Sequence, residues 1–137
     1  MRRCLLTYGT LMRGRKRNEI LKQFCFTYVS TAELSGYKLL HYPSGDYPVI
    51  LRSLFGKVSG ELWLFPCTGN EERDEYLADK ILGFLDGIEA EGKLYNREVI
   101  ERDGVEIYYY AGIEQTWSGQ VLTTPELDDD GLWTGGV

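Results

Sequence analysis

The chain has a single histidine, His41, and three cysteines, Cys4, Cys25 and Cys67, with no C-x-x-C pair among them. A Cys/His zinc site would therefore need carboxylate ligands, and no group of residues has that spacing, so no metal is expected. Cysteines so placed, in a sequence without a signal peptide, read as reduced thiols acting as small hydrophobes and point to a cytoplasmic protein. No apolar run reaches the roughly twenty residues of a membrane span. Positive charge is also short: 15 Lys and Arg stand against 21 Asp and Glu, giving a formal net charge of −6 and a sequence pI of about 4.8. That balance disfavours nucleic acid and anionic membrane surfaces as partners, because phosphate binding needs a basic excess. The local exception is Arg13-Gly14-Arg15-Lys16-Arg17, which reads either as a solvated loop or as a cluster that steers an anionic substrate.

What is present suits one compact domain over residues 1–137. At 43% hydrophobic and 26% charged, a chain of 137 residues can bury a sizeable core without disulfides. No linker-like composition shift, internal repeat or low-complexity block divides it. Cys4-Leu5-Leu6-Thr7 reads as a buried strand that breaks at Tyr8-Gly9-Thr10-Leu11. Gly9 permits a sharp turn, after which the Thr10 and Leu11 N–H groups have no evident ladder partner. Such a turn can hold an anion on backbone donors; on these residues alone it reads more simply as an ordinary strand end.

Further along, Arg17 to Phe24 has a short helical pattern with Asn18 as candidate N-cap. Thr27 to Tyr42 is β-like, interrupted by Gly36, and Tyr42 to Asp46 is a turn cluster before Tyr47-Pro48-Val49-Ile50-Leu51. Lys57 to Phe65 is a strand containing Gly60, where a bulge or a close backbone approach is expected. Glu71 to Glu89 carries an apolar stripe of Leu77, Ile81, Leu82, Phe84, Leu85 and Ile88 at helical spacing. Tyr95–Arg102 and Val105–Tyr110 flank Asp103-Gly104, a two-residue hairpin signal. Beyond Ala111 the pattern decays; residues 112–137, with Asp128-Asp129-Asp130 and Gly135-Gly136, read as a surface segment or tail on which Trp117 and Trp133 could dock. About five strands and two helices that do not alternate argue for an α+β domain with a curled antiparallel-rich sheet or small barrel.

His41, Ser44 and Asp46 share one Pro/Gly loop, where such residues are turn formers; a Ser-His-Asp triad draws its members from separate elements. Glu89 is more informative. On a helical wheel it falls ~20° from Leu82 and ~40° from Leu85, at the flank of the apolar arc. A carboxylate held against apolar surface has a raised pKa, as a general acid/base near neutral pH requires. Alternatively Gly87 ends the helix and Glu89 turns to solvent, and Glu61 likewise alternates outward beside Trp63.

Tyr8-Gly9-Thr10-Leu11, the Gly14 loop and helix, Gly60-Glu61-Leu62-Trp63, Leu85-Asp86-Gly87-Ile88-Glu89, Tyr95-Asn96-Arg97 and Tyr110 occur in an order that resembles gamma-glutamylcyclotransferase-like proteins, from about Leu5 to Gly112. The resemblance implies a small β-barrel with flanking helices around a cavity. It further implies substrate binding by Tyr8, Gly9, Thr10, Leu11 and Tyr110, acid/base chemistry at Glu89, and no cofactor. The implied reaction is cyclisation of a gamma-glutamyl amine or gamma-glutamyl amino acid to 5-oxoproline with release of the amine. The other readings are a non-catalytic member of the fold that binds a small carboxylate or a protein, and a related lyase or hydrolase with a different product. The Tyr108-Tyr109-Tyr110 run and the acidic segment after Thr124 depart from the family pattern, so both classes of leaving amine stay open.

Overall fold

The computed structural model describes residues 2–135; Gly136, part of the expected tail, lies outside them. The elements in chain order are β1 (Arg2–Thr7), α1 (Asn18–Gln23), β2 (Thr27–Tyr42), β3 (Tyr47–Leu64), α2 (Glu71–Ile88), β4 (Tyr95–Arg102), β5 (Val105–Gly112) and α3 (Glu114–Trp117). They form a mixed α+β fold built on one five-stranded sheet in the order β2-β3-β1-β5-β4. β1 runs parallel to β5, and every other neighbouring pair is antiparallel. The short apolar β1 thus sits in the middle of the sheet, which explains why Leu5 and Leu6 are buried although they face opposite sides.

One face of the sheet packs on α2. Leu5, Trp63 and Tyr110 from the strands meet Ala78, Ile81, Leu82 and Leu85 from the helix in one core cluster. Asn70 caps the helix by accepting from the Arg73 N–H at 3.0 Å, and Glu71, Glu72 and Asp74 complement the helix dipole in the first turn. Phe84 lies at the edge of the apolar stripe, half exposed, with its ring centroid 5.1 Å from that of Phe24. The other face closes on a second cluster that includes Leu6, Leu34, Tyr37, Ile50, Ile107 and Tyr109.

That second face is buried because the β2–β3 hairpin curls. Its register shifts between Tyr28 and Ser30 and again between Ser35 and Tyr37, where residues 53–56 of β3 have no ladder partners. The expected irregularity at Gly60 is therefore elsewhere; Gly60 pairs regularly with Ala32. Gly60 is instead a point of close approach, since a Cβ there would stand 2.4 Å from the Thr7 carbonyl oxygen. The curl brings the start of β3 onto β5, where a Cβ on Gly112 would meet Val49 Cγ2 at 2.4 Å.

The sheet nevertheless stays open, so the expected barrel does not form. Among the described residues its edge strands β2 and β4 share no ladder. Side chains fill the gap: the Tyr37 and Tyr109 hydroxyls lie 3.0 Å apart, and Arg102 Nη1 donates to the Glu33 carbonyl at 3.3 Å. The Asp103-Gly104 turn forms as expected, with φ of 54° and 77°. The C-terminal segment docks through Trp117, Leu132 and Trp133, all buried, while Asp128–Asp130 stay exposed. No helix of the described residues is long and apolar enough to cross a membrane.

The contact between α2 and the sheet is expected to dominate stability. Leu85 is fully buried at its centre, so Leu85→Ala should destabilise the fold by about 3 kcal/mol in urea unfolding. A loss below about 1 kcal/mol would show that this interface does not organise the core.

Candidate active site

The chain leaves β1 at Thr7 and turns through Tyr8-Gly9-Thr10-Leu11, and the last three carbonyls of this loop are engaged. Gly9 O accepts from Met12 N at 3.1 Å, Thr10 O from Arg17 N at 2.7 Å, and Leu11 O from Asn18 Nδ2 at 2.7 Å. The N–H groups of Thr10 and Leu11, by contrast, have no acceptor among the described residues. Gly9 is required for space: a Cβ there would lie 2.7 Å from Pro48 Cγ. Asn18 is therefore not the N-cap of α1. That position is Arg17, without a side-chain cap, and the Asn18 amide is buried beneath the loop instead.

Glu61 holds the far end of the same loop. It is buried, not outward-facing as its alternation in the strand suggested. One carboxylate oxygen accepts from Arg13 N at 2.8 Å and from Trp63 Nε1 at 3.3 Å, and the other takes the Arg13 Nε at 2.9 Å. The Arg13 guanidinium in turn lies 3.7 Å from the centroid of the Tyr28 ring. A buried carboxylate is tolerated only with such partners, and here they come from a loop whose position the pair then fixes.

Glu89 enters from the C-terminal end of α2. Gly87 does not stop the helix, which runs to Ile88 and leaves Glu89 at the C-cap with its N–H bonded to Leu85 O at 2.9 Å. The chain then reverses at Ala90 (φ 51°) and Gly92 (φ 84°), and β4 begins at Tyr95. The Glu89 side chain is partly buried against a cavity of about 110 Å³. Burial raises its pKa from 4.5 to about 7, opposed only by the positive charge of Arg17; no hydrogen bond stabilises the ionised form.

All six residues singled out in the sequence, Tyr8, Gly9, Thr10, Leu11, Glu89 and Tyr110, line this cavity. Its size is well below the roughly 300–1,000 Å³ of drug-sized ligand pockets and suits a small metabolite. The tyrosines, however, direct their hydroxyls into the protein. Tyr8 donates to the Tyr110 carbonyl, Tyr110 to Asp86 Oδ1 at 2.7 Å, and Tyr95 to the Pro48 carbonyl at 2.8 Å. Asp86 also pairs with Arg97 at 2.9 Å. Desolvation, first, and nearby negative charge hold the Tyr8, Tyr95 and Tyr110 hydroxyls above their ordinary pKa, so they stay neutral.

Several wall residues were not named as site residues from the sequence, although Arg17, Ile88 and Tyr95 lie in stretches that it singled out. Arg17, Tyr47, Pro48, Ile88, Leu94 and Tyr95 complete the cavity. Tyr47 and Pro48 arrive through the hairpin curl, a long-range event, and Tyr42, Tyr47 and Tyr95 are buttressed by Trp117 with ring centroids 5.1–6.1 Å away. Tyr42–Asp46 read as a turn cluster and Tyr47-Pro48 as the start of an extended run, and neither reading pointed to a cavity wall. His41, Ser44 and Asp46 form no triad: His41 lies 3.6 Å from Asp46 and accepts at Nδ1 from Trp133 Nε1 at 3.4 Å, while Ser44 is exposed.

No curated protein matches the chain in sequence. Several solved structures share its fold. A uropathogenic E. coli-specific protein is 20% identical with a TM-score of 0.61, the match covering 90% of this chain and 89% of that one. The Escherichia coli protein ytfP is 20% identical with a TM-score of 0.59, over 87% of this chain and 89% of that one. Kluyveromyces lactis allophanate hydrolase is 15% identical with a TM-score of 0.61, over 89% of this chain but 19% of that much longer one. At these identities the likeness is one of fold. The sequence itself is more specific: residues 5–134 match the family model described as "Gamma-glutamyl cyclotransferase, AIG2-like", and the chain belongs to that family.

Proposed function

We infer that the protein is a cyclotransferase that converts a gamma-glutamyl amine or gamma-glutamyl amino acid to 5-oxoproline, with Glu89 as the general acid/base. The observation that carries this reading is a carboxyl with a pKa raised to about 7, in the wall of a small cavity shared with the Tyr8–Leu11 loop. The N–H groups of Thr10 and Leu11, which have no acceptor among the described residues, would hold the α-carboxylate of the glutamyl group. Held there, the glutamyl chain folds so that its own α-nitrogen meets its γ-carbonyl, and this orientation supplies much of the acceleration.

The α-nitrogen is unreactive as an ammonium. Ionised Glu89 removes a proton from it, the nitrogen attacks the γ-carbonyl carbon, and a new C–N bond closes the five-membered lactam. The original amide C–N bond then breaks as Glu89 returns a proton to the departing nitrogen. The second proton lost from the α-nitrogen reaches the released amine through solvent, so the amine leaves as an ammonium and no net proton is made. One carboxyl thus serves both steps, and no enzyme nucleophile is needed. The three unpaired thiols fit a reducing, cytoplasmic setting.

A base with a pKa of about 7 has a consequence for activity. The kcat/KM for 5-oxoproline release should rise with pH along a limb of apparent pKa about 7 and level off above it, and Glu89→Gln should lower kcat by about 10²–10⁴ at any pH. Full activity in Glu89→Gln, or no 5-oxoproline from any member of a gamma-glutamyl panel with the wild type, would sink the reading.

The same carboxyl links pH to stability. Between 4.5 and 7 the folded protein keeps a proton that the unfolded chain has released. Stability is therefore full below that window, falls as pH rises through it, and is level above. Glu89→Gln should match the wild type in urea unfolding near pH 4 and exceed it by about 3 kcal/mol near pH 8.5. Equal stabilities at the higher pH would show that Glu89 is not desolvated in the folded state.

A further inference from the structure

The basic segment Arg13–Arg17 divides into three fates. Arg13 is paired with Glu61, and the Arg15 guanidinium donates to the Trp133 carbonyl at 2.8 and 3.0 Å. Arg17 alone of the three reaches the cavity wall, and among the described residues it forms no ion pair. It is also the one basic side chain in that wall. Its position is fixed through the loop, because its backbone N–H closes the turn onto Thr10 O at 2.7 Å. Its guanidinium charge is felt on the opposite wall, where it eases ionisation of Glu89, Tyr95 and Tyr47 against the effect of burial.

An exposed arginine without a partner is ordinary on a surface. Here it borders a cavity that contains one carboxylate, in a protein of formal net charge −6. On the cyclotransferase reading, the glutamyl group enters as a zwitterion with no net charge, and its carboxylate has the Thr10 and Leu11 N–H groups to accept from. A leaving amine that carries its own carboxylate adds an uncompensated negative charge beside ionised Glu89. A leaving alkylamine adds none. Only the first kind of substrate needs a cation at the mouth, and a guanidinium can take a carboxylate through two parallel N–H donors.

The geometry points to Arg17 as the specificity-determining residue, selecting gamma-glutamyl amino acids and peptides over gamma-glutamyl alkylamines by pairing with the carboxylate of the leaving group. The proposal rests on the cyclotransferase reading above and deepens it by naming which leaving group the site takes.

The test compares gamma-glutamylalanine, gamma-glutamylalaninamide and gamma-glutamylethylamide, which share the glutamyl group and differ in the charge of the amine released. With the wild type, kcat/KM for gamma-glutamylalanine should exceed that for the two neutral substrates by about tenfold, mainly through KM. Arg17→Gln should remove that preference by lowering gamma-glutamylalanine selectively, Arg17→Glu should invert it, and Arg17→Lys should restore part of it. Thermal unfolding of each variant checks that the fold persists. Equal losses on all three substrates would assign Arg17 to the shared glutamyl group or to the loop and overturn the proposal, as would a wild type without preference. Those outcomes leave the cyclotransferase reading intact; absence of 5-oxoproline from all three substrates is the different result that overturns both.

Discussion

The carbonyls of Gly9, Thr10 and Leu11 accept from Met12 N, Arg17 N and Asn18 Nδ2, and the whole cavity depends on that allocation. A backbone that leaves a central strand inside a protein must satisfy both its donors and its acceptors. Here the Gly9, Thr10 and Leu11 acceptors are satisfied on the loop's own side, while the Thr10 and Leu11 donors have no acceptor among the described residues. The partners that enforce this are sequestered: Asn18 is buried under the loop, and the Glu61 carboxylate is buried at its end against Arg13. Burying Glu61 is costly in itself, and its hydrogen bonds offset a cost that an apolar residue would never have incurred. The return is positional. Removing Glu61 would free the segment that carries Arg17, and so would disturb both the two amides and the cation.

Against that rigid loop the chain sets a carboxyl with no stabilising hydrogen bond. Burial lifts Glu89 to about 7, and only the charge of Arg17 works the other way. The two groups belong to different elements, the loop after β1 and the end of α2, and meet because both abut the central strand. A lower pKa would leave a weaker base, and a much higher one would leave it protonated at neutral pH. The α2 terminus achieves the intermediate state by local geometry. The helix passes through Gly87, Glu89 caps it, and Ala90 takes the left-handed turn that sends the chain away into β4.

How far these arrangements could be read beforehand depended on their range in sequence. The apolar stripe of α2 and the Asp103-Gly104 turn are set within a few residues, and both form as the pattern predicts. Six residues of the cavity wall were singled out because ordered short motifs resembled a family, although the alternation rule alone sent Glu61 outward. That rule describes a strand with one wet face; Glu61 instead shares a face with buried Trp63, and Arg13 from the loop segment closes over it. The barrel expectation failed for a comparable reason. Closure is decided by whether two distant edges meet, and among the described residues β2 and β4 share no ladder, with Arg102 reaching the Glu33 carbonyl across the gap. Helix α3 has four residues, too few to show a period, yet its Trp117 supports the aromatic wall.

The tyrosines define by exclusion what the cavity can do. A wall containing Tyr8, Tyr47, Tyr95 and Tyr110 would suggest phenolic acid/base chemistry. Yet three of the four hydroxyls donate to protein acceptors, namely the Tyr110 carbonyl, the Pro48 carbonyl and Asp86. Burial raises the pKa of all four, so none becomes an anion near neutral pH. Their rings supply shape and low polarity, the very conditions that raise Glu89. Among the described wall residues with a resolved shift, Glu89 alone is left to exchange a proton near pH 7. A cavity with one such carboxyl, two amides without an acceptor among the described residues and one cation favours chemistry in which the substrate brings its own nucleophile, and intramolecular aminolysis is chemistry of that kind.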